Sequence, residues 1–365
     1  MNHHFADTNI IPLPSIDWGG VDIRDVTLLE LTTRDGIAGI GSAYTGVSQV
    51  RDALNRYQKD PASLHRLDAK TTVPMSAIDI ALWDIRGKEQ NQTVSELLGG
   101  RKRDRVLAYA TVDLPMTSAR PGDAFDKTLR SVLDQGFRAV KIGIDNFGHR
   151  DSSKSDSQWD HCEAKLLRFA RSIVGINVQL MLDVYGSDPN WTGGYDWAYK
   201  TTKILEELDY LWIEEPLAPK AFDDFVRLTQ TANIAIAGGE DFILLKDFEN
   251  ISKRKVVNIL QPDCTRVGGL TQMQSIRNAA SKSGINVIPH GWNTAVGLAA
   301  DLQFQATLSE TKYCMVEVRP HKSILDALKH NPFALDNEGK ITVPTGSGLG
   351  IELSDDLKGV NHVIG

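Results

Sequence analysis

Three carboxylates close three apolar, β-branched runs: Asp183 ends NVQLMLD (177–183), Glu214 ends DYLWIE (209–214) and Glu240 ends IAIAGGE (234–240). Their spacings, 31 and 26 residues, are each about one strand-plus-helix unit. Functional groups of a parallel barrel collect where the strands end. Three successive strands would therefore deliver three like charges to one point. Such charges repel strongly unless a cation lies between them. Oxygen-only ligands favour magnesium, with manganese as the alternative, over zinc. Magnesium would keep coordination positions open for a substrate carboxylate. The bland alternative is three solvated carboxylates at loop starts; their register on consecutive units favours the metal.

The next strand ends continue the series. Asp263 and His290 follow at spacings of 23 and 27 residues, and Glu317 lies another 27 residues on. An aspartate beside a histidine fixes its tautomer and raises its basicity, which makes His290 the candidate general base. Glu317 is read as a hydrogen-bonding partner at the substrate carboxylate, the alternative being a loop cap. Lys141 sits near the end of the second strand, with Gly143 two residues later on the same face. Lys141 could neutralise a metal ligand, touch substrate, or serve as a structural partner of Asp183. Glu215 alternates away from the lumen and reads as a supporting group.

These residues need a scaffold that aligns strand ends. From residue 105 the chain supplies one: RVLAYAT (105–111), FRAVKIG (137–143), the three runs above, VVNILQP (256–262), INVIPH (285–290) and YCMVE (313–317). Helical patterns such as 161–173, 197–208 and 270–284 separate them. Eight strands alternating with helices predict a (β/α) barrel over 105–318. The polar segment 145–157 is an active-site loop or a disordered insertion. Residues 1–104 differ. VTLLELTTRDGIAGIGSAY (26–44) predicts a hairpin turning at Asp35-Gly36, and 74–100 predicts helices ending at glycines. With 319–365 returning to it, this region forms an α+β capping domain. After Glu317 the chain has proline and glycine turns, and no further barrel unit is expected.

Composition bounds the partners. The 365 residues carry a net charge of −7, with a pI near 5.7 and no basic stripe, against nucleic acid as partner. No apolar run reaches the roughly 18 residues of a membrane span. Cys162, Cys264 and Cys314 form no C-x-x-C pair and read as reduced thiols; together with a polar N-terminus they suggest the cytoplasm.

The segments SAIDIALWDIRGK (76–88), SELLGG (95–100), VKIG, MLDVYG, WIEEPL, GGED, QPDCTRVGGLT and IPHGW, in this order, resemble the mandelate racemase group of the enolase superfamily. The resemblance spans residues 26 to 352. It implies a capping domain over a modified barrel, magnesium on Asp183, Glu214 and Glu240, and His290 with Asp263 as the base on one face of a carboxylate substrate. It also implies a homo-oligomer. Many members carry Lys-x-Lys on the second barrel strand; here only Lys141 matches, and Gly143 replaces the second lysine. Tyr185 stands where asparagine is frequent. A racemase needs a base on each face, so a single base favours β-elimination. The MLDVYGS and PHGWNT stretches look closest to acid-sugar dehydratases similar to rhamnonate dehydratase. The expected reaction is dehydration of an aldonate to a 2-keto-3-deoxy acid. A cycloisomerase, epimerase or racemase of the same superfamily is the alternative, and a non-catalytic sugar-acid binder a third reading. His3, His4, Trp18, Tyr44 and Thr45 are the specificity candidates, although His3 and His4 could instead be loose terminal residues.

Overall fold

The computed structural model describes residues 5–13, 16–17, 22–23, 25–115, 123–145, 155–189, 191–291, 294–319 and 327–357. His3, His4, Trp18, most of the 145–157 segment, Trp292 and Asn293 lie outside these residues.

The N-terminal region contains β1 (Phe5–Pro12), the short pair β2 (Ile16–Asp17) and β3 (Asp22–Ile23), β4 (Thr27–Thr33) and β5 (Ala38–Ala43). β1, β4 and β5 form an antiparallel sheet in that order, and β4 turns into β5 through Gly36 at φ +80°. The sheet packs on α1 (Val47–Lys59) and α2 (Thr72–Gln90) through Leu29, Leu31, Val50, Leu54, Met75, Ile78 and Ile85. Glycine in β5 sets that approach. A Cβ on Gly41 would lie 1.9 Å from the Ala77 carbonyl oxygen of α2, well inside van der Waals contact. The short α3 (Val94–Leu97) follows, held by a capping box between Thr93 and Glu96.

Eight parallel strands come next: β6 (Arg105–Pro115), β7 (Ala139–Asp145), β8 (Gln179–Asp183), β9 (Trp212–Glu214), β10 (Ala235–Gly238), β11 (Ile259–Leu260), β12 (Asn286–Val287) and β13 (Met315–Val318). Between them run α4 (Asp123–Asp134), α5 (Asp156–Val174), α6 (Tyr195–Glu207), α7 (Phe222–Thr231), α8 (Leu245–Arg254), α9 (Gly269–Lys282) and α10 (Ala295–Gln305). The eighth strand returns to pair with the first, β13 with β6. Among the described residues no ladder joins β12 to β13 and no α-helix follows β13. The barrel is thus a modified (β/α) barrel with a seam between its last two strands.

After Glu317 no further βα unit follows among the described residues, but one short strand does. β14 (Lys340–Thr342) pairs antiparallel with the start of β6. It holds the lower half of the β6 edge, below the stretch that β7 pairs from Ala110 onward. Three residues with one buried position, Ile341, make too short an apolar pattern to announce a strand. Beyond β14, the Gly348 carbonyl accepts from Val94 N–H and the Leu349 N–H donates to Asp84 of α2 at 2.8 Å. The C-terminal segment therefore touches both barrel and cap.

The cap also ties itself to the barrel at α9. Gly268, preceding that helix, offers no side-chain cap. Ser76 of α2 instead accepts from Gly268 N–H at 2.9 Å, and Asp79 accepts from Thr271 N–H at 2.9 Å. The first N–H groups of a helix lack internal partners, so α2 caps α9 from another domain.

Candidate active site

Strand alternation builds the site in two layers. Tyr109, Ala139, Met181, Trp212, Ala235, Ile259, Ile288 and Met315, one from each barrel strand or its extension, form a common apolar cluster inside the barrel. Two residues further along each strand the side chain faces the same way. Those positions are Thr111, Lys141, Asp183, Glu214, Ala237, Gln261, His290 and Glu317. The apolar layer is the floor, and the polar layer stands on it.

Asp183, Glu214 and Glu240 offer ligand oxygens that all lie within 4.8 Å of one another. At an effective dielectric near 20, each pair of full charges at that distance repels by roughly 3–4 kcal/mol. Burial, then the charge of Glu214, drives the Asp183 carboxyl well above its usual range. Burial also raises Glu240, with Glu214 opposing ionisation and His290 favouring it. Backbone turns next to each ligand aim these groups. Tyr185, Glu215 and Gly239 have φ of +51°, +49° and +115°. The Tyr185 N–H donates to Asp183 Oδ1 at 3.1 Å, and the indole N–H of Trp212 donates to Glu214 Oε2 at 3.0 Å.

Lys141 stands in the middle of this charge. Its Nζ lies 2.5 Å from Glu214, 3.1 Å from Asp183 and 3.3 Å from Glu317. Burial works against its protonation, but Glu214, Glu317 and Asp183 outweigh that and hold it well above the ordinary lysine range. It is a charge partner of the carboxylates, committed on three sides. Gly143, in register with Asp183, adds no side chain beside it.

His290 Nδ1 lies 2.9 Å from Asp263 Oδ2, and Nε2 lies 3.5 Å from Glu240 Oε2. With Nδ1–H donated to Asp263, Nε2 faces the carboxylate cluster. Burial lowers the imidazole, but Glu240 and the Asp263 hydrogen bond outweigh it, and His290 is pushed up to about 9. Glu317 accepts from Thr111 Oγ1 and, across the strand seam, from Gly291 N–H at 2.9 Å. Burial raises it, yet Lys141 and His290 prevail and keep it ionised, far below the carboxylate range.

Family models match along most of this framework. Residues 7–99 match the mandelate racemase / muconate lactonizing enzyme N-terminal domain, and residues 124–357 the enolase C-terminal domain-like family. The chain belongs to the mandelate racemase group of the enolase superfamily. It is 32% identical to D-galactarolactone cycloisomerase of Agrobacterium fabrum, over 92% of this chain and 90% of that protein. It is 30% identical to D-galactonate dehydratase of Verminephrobacter eiseniae, over 81% and 75%. Among solved structures, the 3,6-anhydro-D-galactonate cycloisomerase of Zobellia galactanivorans superposes with a TM-score of 0.79 at 25% identity, covering 97% of this chain and 99% of that one.

The residues present fit the divalent cation that the superfamily implies. Five carboxylates, Asp183, Glu214, Glu240, Asp263 and Glu317, are gathered around Lys141 and His290, with Arg319 adding charge only beside Glu317, and the three candidate ligands are all oxygen donors. Glu215 is buried behind them, accepting from Ser187 Oγ at 2.7 Å.

The specificity candidates divide. His3, His4 and Trp18 lie outside the described residues. Thr45 turns its carbonyl to Thr27 Oγ1. Tyr44 reaches the site from the cap: its N–H donates to the Thr265 carbonyl at 3.3 Å, and its hydroxyl feels the charges of Arg266, Asp263 and Arg319. Sequence reasoning missed Thr265, whose N–H and Oγ1 both donate to Asp263 Oδ1, at 2.8 and 2.6 Å. It also missed Arg319, buried two residues past Glu317. Its i, i+2 spacing from Glu317 was the available signal.

Proposed function

We propose that this protein is a magnesium-dependent sugar-acid dehydratase that removes the C2 proton of an aldonate and expels the 3-hydroxyl. One observation carries the reading: the site has a single oriented base. His290 is fixed through Nδ1 by Asp263 and presents Nε2 to the lumen, while Gly143 supplies no group on the opposite face and Lys141 is held by three carboxylates.

Asp183, Glu214 and Glu240 would hold the cation, with Mn2+ able to replace Mg2+. When bound, it supplies Lewis-acid stabilisation of the charge that develops on the substrate carboxylate. His290 Nε2 takes the C2 proton. Asp263 stabilises the imidazolium so formed. The C2–H electron pair becomes the C2–C3 double bond as the C3–O bond breaks, and the imidazolium returns the proton to the departing hydroxyl as water. The enol tautomerises to the 2-keto-3-deoxy acid. Glu317, braced by Thr111 and Gly291, is positioned for a hydrogen bond at the substrate carboxylate. Lys141 offsets the charge of the ligands throughout.

The 32% identity to a lactone cycloisomerase favours a second reading. The same base and the same bond changes open a ring when the β-oxygen belongs to that ring, and the leaving group then stays attached. The reading includes a cytoplasmic homo-oligomer. Its cytoplasmic part is supported by the three free cysteines, which a reducing compartment would leave unpaired.

A panel of aldonic and aldaric acids and their lactones, incubated with the protein and Mg2+, tests this. A 2-keto acid lighter than its substrate by one water supports dehydration; a keto acid of unchanged mass assigns ring opening instead. No keto acid from any member sinks both. His290→Asn should abolish turnover while leaving the thermal transition in place.

A further inference from the structure

Seven of the eight side chains in the polar layer can form hydrogen bonds. Thr111, Lys141, Asp183, Glu214, His290 and Glu317 all find partners within the protein. Gln261 is the exception. Its side chain is wholly buried, and neither Oε1 nor Nε2 has a hydrogen-bond partner among the described residues. Its backbone N–H donates to the Gly238 carbonyl, extending the β10–β11 register. The strand therefore holds the residue firmly and leaves the amide idle.

Its location gives that idleness a meaning. Ile259, two residues earlier, belongs to the lumen floor, and Leu260 between them belongs to the outer core. Gln261 thus faces inward. Its strand lies between the one that leads to Glu240 and the one that leads to His290, and Asp263, which fixes His290, is two residues further on. A buried amide without partners is costly to fold around. An apolar side chain of equal volume would fill the place without that cost. Native departures from polar satisfaction concentrate where function needs them. Neither amide atom is accessible to bulk water, so any partner has to be a group admitted to the lumen beside it.

We propose that Gln261 is a substrate-binding residue, whose amide hydrogen-bonds an oxygen of the sugar acid between the carboxylate cluster and His290. The amide both donates and accepts, so it can serve a hydroxyl as well as a carboxylate oxygen. It would discriminate among acids by the oxygen placed beside the reacting carbon. The proposal rests on the sugar-acid reading above.

Gln261→Met, an isosteric change, tests it through two measurements. In ligand-free protein the melting temperature should hold or rise, because no protein hydrogen bond is lost. On the acid that wild type turns over best with Mg2+, kcat/KM should fall by at least about tenfold, the worth of one good hydrogen bond. A melting temperature lowered by several degrees would make the amide a structural group and overturn the proposal, as would kcat/KM within about twofold of wild type. Should wild type turn over no acid, the elimination reading fails by itself. The proposal is then judged on the rise in melting temperature that Mg2+ with tartrate, a generic 2-hydroxy acid, gives wild type: a smaller rise in Gln261→Met supports it and an equal rise overturns it.

Discussion

Position along a strand, more than residue type, gives each catalytic candidate its role. His290 can act as a base because Ile288 fixes the face of its strand and Asp263 fixes its tautomer. Glu317 depends on a glycine. A Cβ on Gly291 would lie 2.6 Å from Glu317 Cβ and 3.1 Å from its carbonyl oxygen, and the Gly291 N–H donates to the same carboxylate. Gly291→Ala should push Glu317 out of the polar layer. The expected loss is on the order of 10²-fold in kcat/KM, the cost of misplacing a group by about 1 Å, and about 1–3 kcal/mol in stability from overpacking. Steady-state kinetics and denaturant unfolding would measure both; near-normal kinetics would mean that Glu317 has no part in turnover. Thr265→Val removes the 2.6 Å bond to Asp263 while keeping the shape of the side chain. It should lower kcat about tenfold with KM little changed, because the Thr265 hydroxyl is committed to Asp263 and acts through it on His290. A change confined to KM would contradict that positioning role.

The docking of α2 on α9 is the element-scale counterpart of this dependence. Ser76 and Asp79 do for α9 what an N-cap residue of its own would do. Ser76→Ala leaves the Gly268 N–H buried without its acceptor and should cost about 1–2 kcal/mol, measured as a shift in the denaturant midpoint. Asp79 adds a pH signature. Burial, partly offset by the Thr271 hydrogen bonds, raises its carboxyl to about 7 from a usual value of 3.8. The folded state then keeps a proton that the unfolded state has already released. This contribution to stability is fully present below the lower value and is lost as pH rises towards about 7. Asp79→Asn should flatten that decline, by up to about 1.4 kcal/mol per pH unit; an unchanged slope would mean that Asp79 folds ionised. None of this was readable in VGGLT or SAIDIALWD alone, because a cap supplied by another domain leaves no local signature. The eight barrel strands were legible, because all but the Ala235 strand pair an apolar lumen residue with a polar one two positions on. So were Asp183, Glu214, Glu240, Asp263, His290 and Glu317 as strand-end groups. β14 was not, since its pairing with β6 spans more than 200 residues. Gln261 was passed over because an amide in a strand announces nothing until its partners can be counted.

At the scale of the whole molecule, cap and barrel meet over one concentration of negative charge. The Tyr44 N–H reaches Thr265, Thr265 holds Asp263, and Asp263 holds His290, so the cap is mechanically continuous with the base. Folding places Asp183, Glu214 and Glu240 within 4.8 Å of one another, and only the folded chain assembles them. A cation that binds this cluster and not the unfolded chain must therefore stabilise the fold by mass action. The gain is about 2.7 kcal/mol when free Mg2+ stands at a hundredfold its dissociation constant. The melting temperature should rise with Mg2+ concentration, return to its starting value with EDTA, and rise again with Mn2+. Glu240→Gln separates this from non-specific screening of a chain with net charge −7. The variant retains two of the three ligands, so a specific site should lose most of its response to millimolar Mg2+ while its response to sodium chloride stays the same. Equal Mg2+ responses in the two proteins would place the cation elsewhere, and with it the charge stabilisation that elimination next to a carboxylate requires.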